Sequence, residues 1–228
     1  MPTQQEIVEL VALDKEIEKE TVRKLRDNRR VEFAVQFASY AQNRVDQVRE
    51  SVVRKGVQFD CKKGCAWCCH FAVDALPQET FRIARELRSR GDTAATIAAL
   101  SGYVEKTKGS TTFRRGAPCP FLVDDACSIY AVRPMMCRKC NSLDVEKCKD
   151  PNGTLPESPE LAHKAGAIVH GTIKAYERNK LPTRARGLVP SVLLALTDED
   201  AERRWHAGQD VFAAPHDAPS PSLTGDGR

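Results

Sequence analysis

Four thiols crowd into nine residues of the stretch "CKKGCAWCCH", at Cys61, Cys65, Cys68 and Cys69. Five more follow at Cys119, Cys127, Cys137, Cys140 and Cys148, so all nine cysteines of the 228-residue chain lie in its middle. Disulfides are a poor use for them. Nine is odd, and the start "MPTQQEIVELVALDKEIEKE" has neither the basic n-region nor the apolar run of a secretory signal. The chain is therefore expected in a reducing cytoplasm, where thiols persist. Simple burial explains them no better, because they stand among Lys, Gly, Pro and Asp.

Metal ligation fits the spacing. The pattern contains two C-x2-C loops, Cys65–Cys68 and Cys137–Cys140. Two thiolates separated by two residues can bend around one ion, and two such loops from distant parts of a chain complete a tetrahedral site. The expected ligands are Cys61, Cys65, Cys68, Cys69, Cys119, Cys127, Cys137 and Cys140. The ion would be zinc or iron, a 4Fe–4S cluster included. Adjacent side chains point apart, so Cys68 and Cys69 are expected to serve different ions, or one of them none. Cys148, outermost, is the expected spare. Residues 61–150 carry fifteen Lys and Arg against ten Asp and Glu, an excess near the charge that two thiolate sites would need offset.

Other polar residues offer less. Arg133 is placed beside the thiolates, donating to sulfur or to a carbonyl, or else paired with Asp124 or Asp125. His70 adjoins Cys69, and His163 and His170 stand seven apart on one predicted helix; ordinary loop and surface roles are favoured for all three. His206 and His216 read as incidental. Tyr130 reads as a packed aromatic, and Trp67 either shields an ion from water or packs.

The order "CKKGCAWCC", "CPFL", "CSIY" and "RPMMCR" resembles the YkgJ-type cysteine-cluster family of zinc- or iron-chelating domains, over Cys61 to Cys140. Flagellin lysine-N-methylase contains a related region. The resemblance implies metal chelation at Cys61, Cys65, Cys68, Cys69, Cys119, Cys127 and Cys137, with Arg133 and Pro134 in the motif. It leaves open whether the chain is an enzyme, and the alternative is an iron–sulfur enzyme or redox protein that modifies protein lysines. Cys61, Cys65 and Cys68 with Trp67 also resemble the radical S-adenosylmethionine signature. That family sets its loop after the first strand of a partial barrel; here a polar helical arm precedes it and helices follow. A zinc-dependent nucleic-acid binder is disfavoured, since no finger-like Cys2His2 spacing is present and aromatics are only 6% of residues.

The elements that must position these thiols are mostly helical. Thr3 and Glu6 form a capping box ahead of helices that break near "RDNRR" (Arg26–Arg30) and end near residue 56. Leu10, Val11 and Ile17 suggest one stripe; Phe33, Phe37, Tyr40, Val45, Val48 and Val52 suggest another. Pro77 opens a helix whose face is Phe81, Ala84 and Leu87, stopped by Gly91. Asp92 caps the next, to about Val104. "KGSTTFRRGAP" reads as loop and "CPFLVDDACSIY" as a hairpin turning at Asp124–Asp125. "EKCKDPNGTLPESP" reads as loop, Ser158-Pro159-Glu160 starts a helix to about Arg178, and Thr197 with Asp200 caps one ended by Gly208. The fold class expected is mainly α: a helical domain with a small β-hairpin and a cysteine-rich metal-binding centre. Residues 1–56 would form a helical arm able to dock a protein partner, 57–212 the metal-binding domain, and 213–228 a disordered tail. No apolar run approaches the roughly 20 residues of a membrane span.

Overall fold

Thr3 lies in extended backbone. Its hydroxyl accepts from the Glu6 amide while the Glu6 carboxylate accepts from the Thr3 amide, the expected capping box. Helix α1 runs from it over Gln4–Asp27. The break falls at residues 28–30, before α2 (Val31–Gln36) and α3 (Ala38–Arg54). The computed structural model describes residues 2–62, 64–109, 117–150 and 155–213. Most of the "KGSTTFRRGAP" loop, and residues 214–228 of the expected disordered tail, lie outside the described residues.

Ser158 caps α8 (Pro159–Arg178), its hydroxyl accepting from the Leu161 amide. This helix lies against α1, and Gly171 sits where they meet. A Cβ there would run into the Asp14 carbonyl oxygen and the Ile17 side chain, so glycine is required for this approach. Asp14 accepts from Lys174 Nζ at 3.0 Å and faces His170 Nδ1 at 3.2 Å. His170 thus faces α1 while remaining exposed, as His163 is.

Ile17 of α1 and Ala41 and Val45 of α3 bury in one apolar cluster with Leu76, Met135, Ala165 and Ile168. The N-terminal helices therefore pack on their own chain, and no partner is inferred for them. Val11 does not share the Ile17 face and is 45% exposed. Six residues turn an α-helix by about 240°, which carries Val11 away from α8.

Helix α4 (Pro77–Ser89) buries Phe81, Ala84 and Leu87 as expected and stops before Gly91 at φ +84°. Helix α5 (Thr93–Thr107) outruns its expected end at Val104. Asp92 precedes it, but the Asp92 carbonyl, not its side chain, takes the first amide, from Thr96. Two further helices follow, α9 (Leu188–Thr197) and α10 (Ala201–His206), the latter followed by Gly208 at φ +97°. Thr197 closes α9 rather than capping α10, its hydroxyl donating to the Leu193 carbonyl at 3.0 Å. Phe81, Trp205 and Phe212 pack with tilted rings in a second cluster.

Tyr176 is fully buried beside that cluster and donates its hydroxyl to the Ala34 carbonyl at 2.7 Å, tying α8 to α2. Tyr176→Phe leaves that carbonyl without its donor and is expected to cost about 1–2 kcal/mol in urea unfolding at unchanged slope.

Among the described residues the strands form two short antiparallel pairs. β2 (Leu122–Val123) and β3 (Ala126–Cys127) make the expected hairpin. Asp124 and Asp125 lie at φ 49° and 56°, the left-handed pair that a two-residue turn of type I′ needs. β1 (Asp74–Ala75) pairs with β4 (Arg186–Gly187). The fold is mainly helical, and no helix among the described residues is long and apolar enough to cross a membrane.

Candidate metal centre

The first cysteine stretch is wound into tight turns. The Cys65 amide donates to the Lys62 carbonyl at 3.0 Å around Gly64, at φ +87°. A short 3-10 turn, Trp67–His70, then presents Cys68 and Cys69. The second stretch is pinned to it by backbone. The Cys119 amide donates to the Cys69 carbonyl at 2.7 Å. The Asp60 amide donates to the Ser142 carbonyl at 3.0 Å, and the Ser142 amide to Cys61 Sγ at 3.1 Å. An amide aimed at a sulfur is the kind of partner that steadies a thiolate ligand.

Helix α6 (Met135–Lys139) carries Cys137, and Cys140 follows it directly. Two arginines hold this element. Arg138, 5% exposed, donates to the carbonyls of Ala131 and Arg133 and pairs with Asp46 of α3. Arg49 Nε of α3 donates to Asn141 Oδ1 at 2.7 Å. The start of α6 is fixed by Glu79, whose carboxylate accepts from the Met135 amide at 2.7 Å.

The third stretch departs from the sequence reading. Residues expected to be loop form a short helix, α7 (Val145–Lys149), because the Asp144 carboxylate accepts from the amides of Glu146 and Lys147. Helix α7 packs on the Trp67–His70 turn, with Lys149 Nζ over the Trp67 ring at 6.0 Å. This brings Cys148, the expected spare, into the same pocket as Cys61, Cys65, Cys68 and Cys140. Glu157 lines it too, brought in by the antiparallel bridge of Ser142 with Glu157. Spacing gave no hint of Glu157, which sits between two prolines in "LPESP".

Cys119 and Cys127 lie on the other side, packed on the larger apolar cluster. Four of the eight expected ligands, Cys61, Cys65, Cys68 and Cys140, thus line one pocket together with Cys148, while Cys119 and Cys127 pack against the apolar cluster. The gathering stops short of a formed cage: among the described residues no three His, Cys, Asp or Glu side chains are grouped to hold an ion. The expected tetrahedral centre is not shown.

Burial favours the neutral form of several of these thiols. Burial pushes Cys119 up to about 11 and Cys140 up to about 12, and lifts Cys137 well above the usual thiol range. Cys68 is raised first by its hydrogen bond with Cys69 and then by burial. Arg133 works the other way on Cys68 and Cys127. It lies over the Tyr130 ring at 4.0 Å, and its buried Nε has no hydrogen-bond partner. Among the described residues Arg133 neither pairs with Asp124 or Asp125 nor donates a hydrogen bond to a sulfur; its charge alone acts on Cys68 and Cys127. Tyr130, expected to be packed, is 61% exposed and serves as the platform for Arg133.

Residues 60–155 match the CxxCxxCC family. Its description is "putative zinc- or iron-chelating domain". The cysteine-cluster resemblance read from the four motifs is borne out, and the CxxCxxCC domain takes in all nine cysteines, Cys148 among them. Helices α1–α3 and α8–α10 lie outside it and supply Asp46 and Arg49, which brace it. Comparison with curated proteins and with solved structures gives no match. The donor set fits zinc or iron: thiols in excess, a carboxylate, an amide on Cys61 Sγ and an unused arginine donor.

Proposed function

We propose that the chain is a metal-binding protein of a reducing compartment, holding zinc or iron, alone or as an iron–sulfur cluster, through cysteine thiolates. Cys61, Cys65 and Cys140, with Cys148, form one ligand set; Cys69, Cys119, Cys127 and Cys137 form the other, and Cys68 stands between them. One observation carries the reading: thiols from two stretches remote in sequence, Cys61–Cys68 and Cys140–Cys148, line a single pocket. Bound there, the ion supplies the positive charge that the buried sulfurs lack. The chain's own part is to bring the sulfurs within reach, with the Arg133 charge and the Ser142 amide acting on them and Arg138 and Asn141 fixing the α6 corner.

No reaction is assigned, and the comparisons carry nothing on the lysine-N-methylase likeness. The test is anaerobic purification, a visible spectrum, and assays of zinc, iron and sulfide. Brown protein with iron and sulfide, or colourless protein with about two zinc ions, supports the reading and decides the metal. Folded protein that neither contains nor takes up either metal overturns it. Thiols lose protons on ligation, so affinity is expected to tighten as pH rises from 6 to 8, with protons released on loading.

A further inference from the structure

The pocket of Cys61, Cys65, Cys68, Cys140 and Cys148 is also lined by Asn141, Ser142 and Glu157. The Asn141 amide is held by Arg49 and the Arg138 carbonyl, and the Ser142 hydroxyl by Asp144, which leaves the Glu157 carboxylate as the uncommitted oxygen donor. Glu157 lies two residues beyond the CxxCxxCC domain. Its backbone is fixed beside the thiols by the bridge to Ser142 and by the Leu143 amide donating to the Pro156 carbonyl at 2.8 Å. The residue is half-buried. Among the described residues its carboxylate takes part in no hydrogen bond and no ion pair, whereas Glu160, three residues on, is bound by both Lys55 and Lys164. Its charge acts directly on the Cys140 thiol.

An unpartnered carboxylate at the wall of a thiol pocket opposes deprotonation of the thiols, since it adds negative charge where thiolates must form. A cation removes that penalty and gains an oxygen ligand. Resting on the metal-binding reading above, we propose that Glu157 is an oxygen ligand of the pocket ion, which is held by sulfur and one carboxylate and is therefore exchangeable. Carboxylate is a harder and weaker partner for zinc or ferrous iron than thiolate, so the mixed site releases its ion faster than the all-sulfur set of Cys69, Cys119, Cys127 and Cys137. The pocket is then the place where an ion enters and leaves.

Cobalt(II), a spectroscopic stand-in for zinc, tests this on the full chain under anaerobic conditions. Glu157→Gln is expected to shift the cobalt d–d bands and to speed release of one equivalent to a chelator about tenfold or more. Glu157→Cys should do the reverse, with stronger sulfur-to-cobalt absorption and slower release. Helix content measured by circular dichroism stays the same in both. A bystander carboxylate would leave spectrum and release unchanged in both variants; that result overturns this inference and spares the metal-binding reading. Failure of the wild-type chain to bind cobalt or zinc at all overturns both.

Discussion

Serine in place of Cys65 or Cys140 is expected to strip metal from the protein and loosen residues 60–75 and 117–150, while the packing of α1 and α3 on α8 survives. Structural zinc contributes an apparent binding free energy of about 10–16 kcal/mol in small thiolate domains. That is as large as the whole net stability of an ordinary domain, about 5–15 kcal/mol. The elements around the pocket have little else to hold them. The strands are two residues long, α6 and α7 are five residues each, and the thiols are half-buried. The helical side is different. Ile17, Ala41, Val45, Ala165 and Ile168 interlock without any cysteine, and Gly171 lets α1 and α8 meet closely. Hydrogen exchange should therefore rise in the cysteine-bearing segments and stay slow in α1, α3 and α8, with at least one equivalent of metal lost. The two cysteines come from opposite ends of the domain, so equal behaviour is itself informative. Unchanged metal content and melting temperature in both variants would mean that these sulfurs hold nothing.

What the sequence made legible follows from the range of the forces involved. Local signals were readable: the Thr3–Glu6 box, the break after Asp27, Pro77 and Gly91 around α4, Ser158 ahead of α8, and the double-aspartate turn. Each is settled within four or five residues. Helix α9 escaped because "LVPSVLLALT" is apolar on nearly every face, so no 3.6-residue period stands out. The pairing of β1 with β4 escaped because its partners are over a hundred residues apart. The metal centre divides in the same way. Thiol identity and the two C-x2-C loops marked the cysteine-rich segment, and the family match covers it. The place of Cys148 depended on a five-residue helix capped by Asp144, and that of Glu157 on a single bridge to Ser142. Neither leaves a trace in spacing. Cys148 is outermost along the chain, yet it lines the pocket with Cys61, Cys65, Cys68 and Cys140.

Glu79→Ala is expected to destabilise the chain by about 3 kcal/mol or more, since it strands several buried donors at once. Glu79 is 1% exposed. Oε1 accepts from the Met135 amide at 2.7 Å and from Gln42 Nε2 at 3.1 Å, and Oε2 accepts from the Leu76 amide at 3.2 Å. The residue thus joins three elements: it closes the first turn of α4, reaches α3 through Gln42, and holds the first amide of α6. Alanine leaves all three donors without acceptors in a dry interior. Glutamine keeps the shape but has one acceptor oxygen, and its NH2 must face an N–H, so it should recover only part of the loss. The pH dependence has a definite sign. Burial raises the Glu79 carboxyl above its ordinary value of 4.5, and the bonds from Met135, Gln42 and Leu76 only partly bring it back. The folded chain therefore holds this proton more tightly than the unfolded one. Stability from this group is fullest below 4.5 and falls as pH rises through the raised value. Melting curves of the wild type should show that slope and those of Glu79→Gln should lack it. Because Met135 opens the helix that carries Cys137 and leads to Cys140, the alanine variant should also bind metal more weakly. An alanine variant with wild-type metal affinity would show that α6 is placed by Arg138 and Asp46 alone.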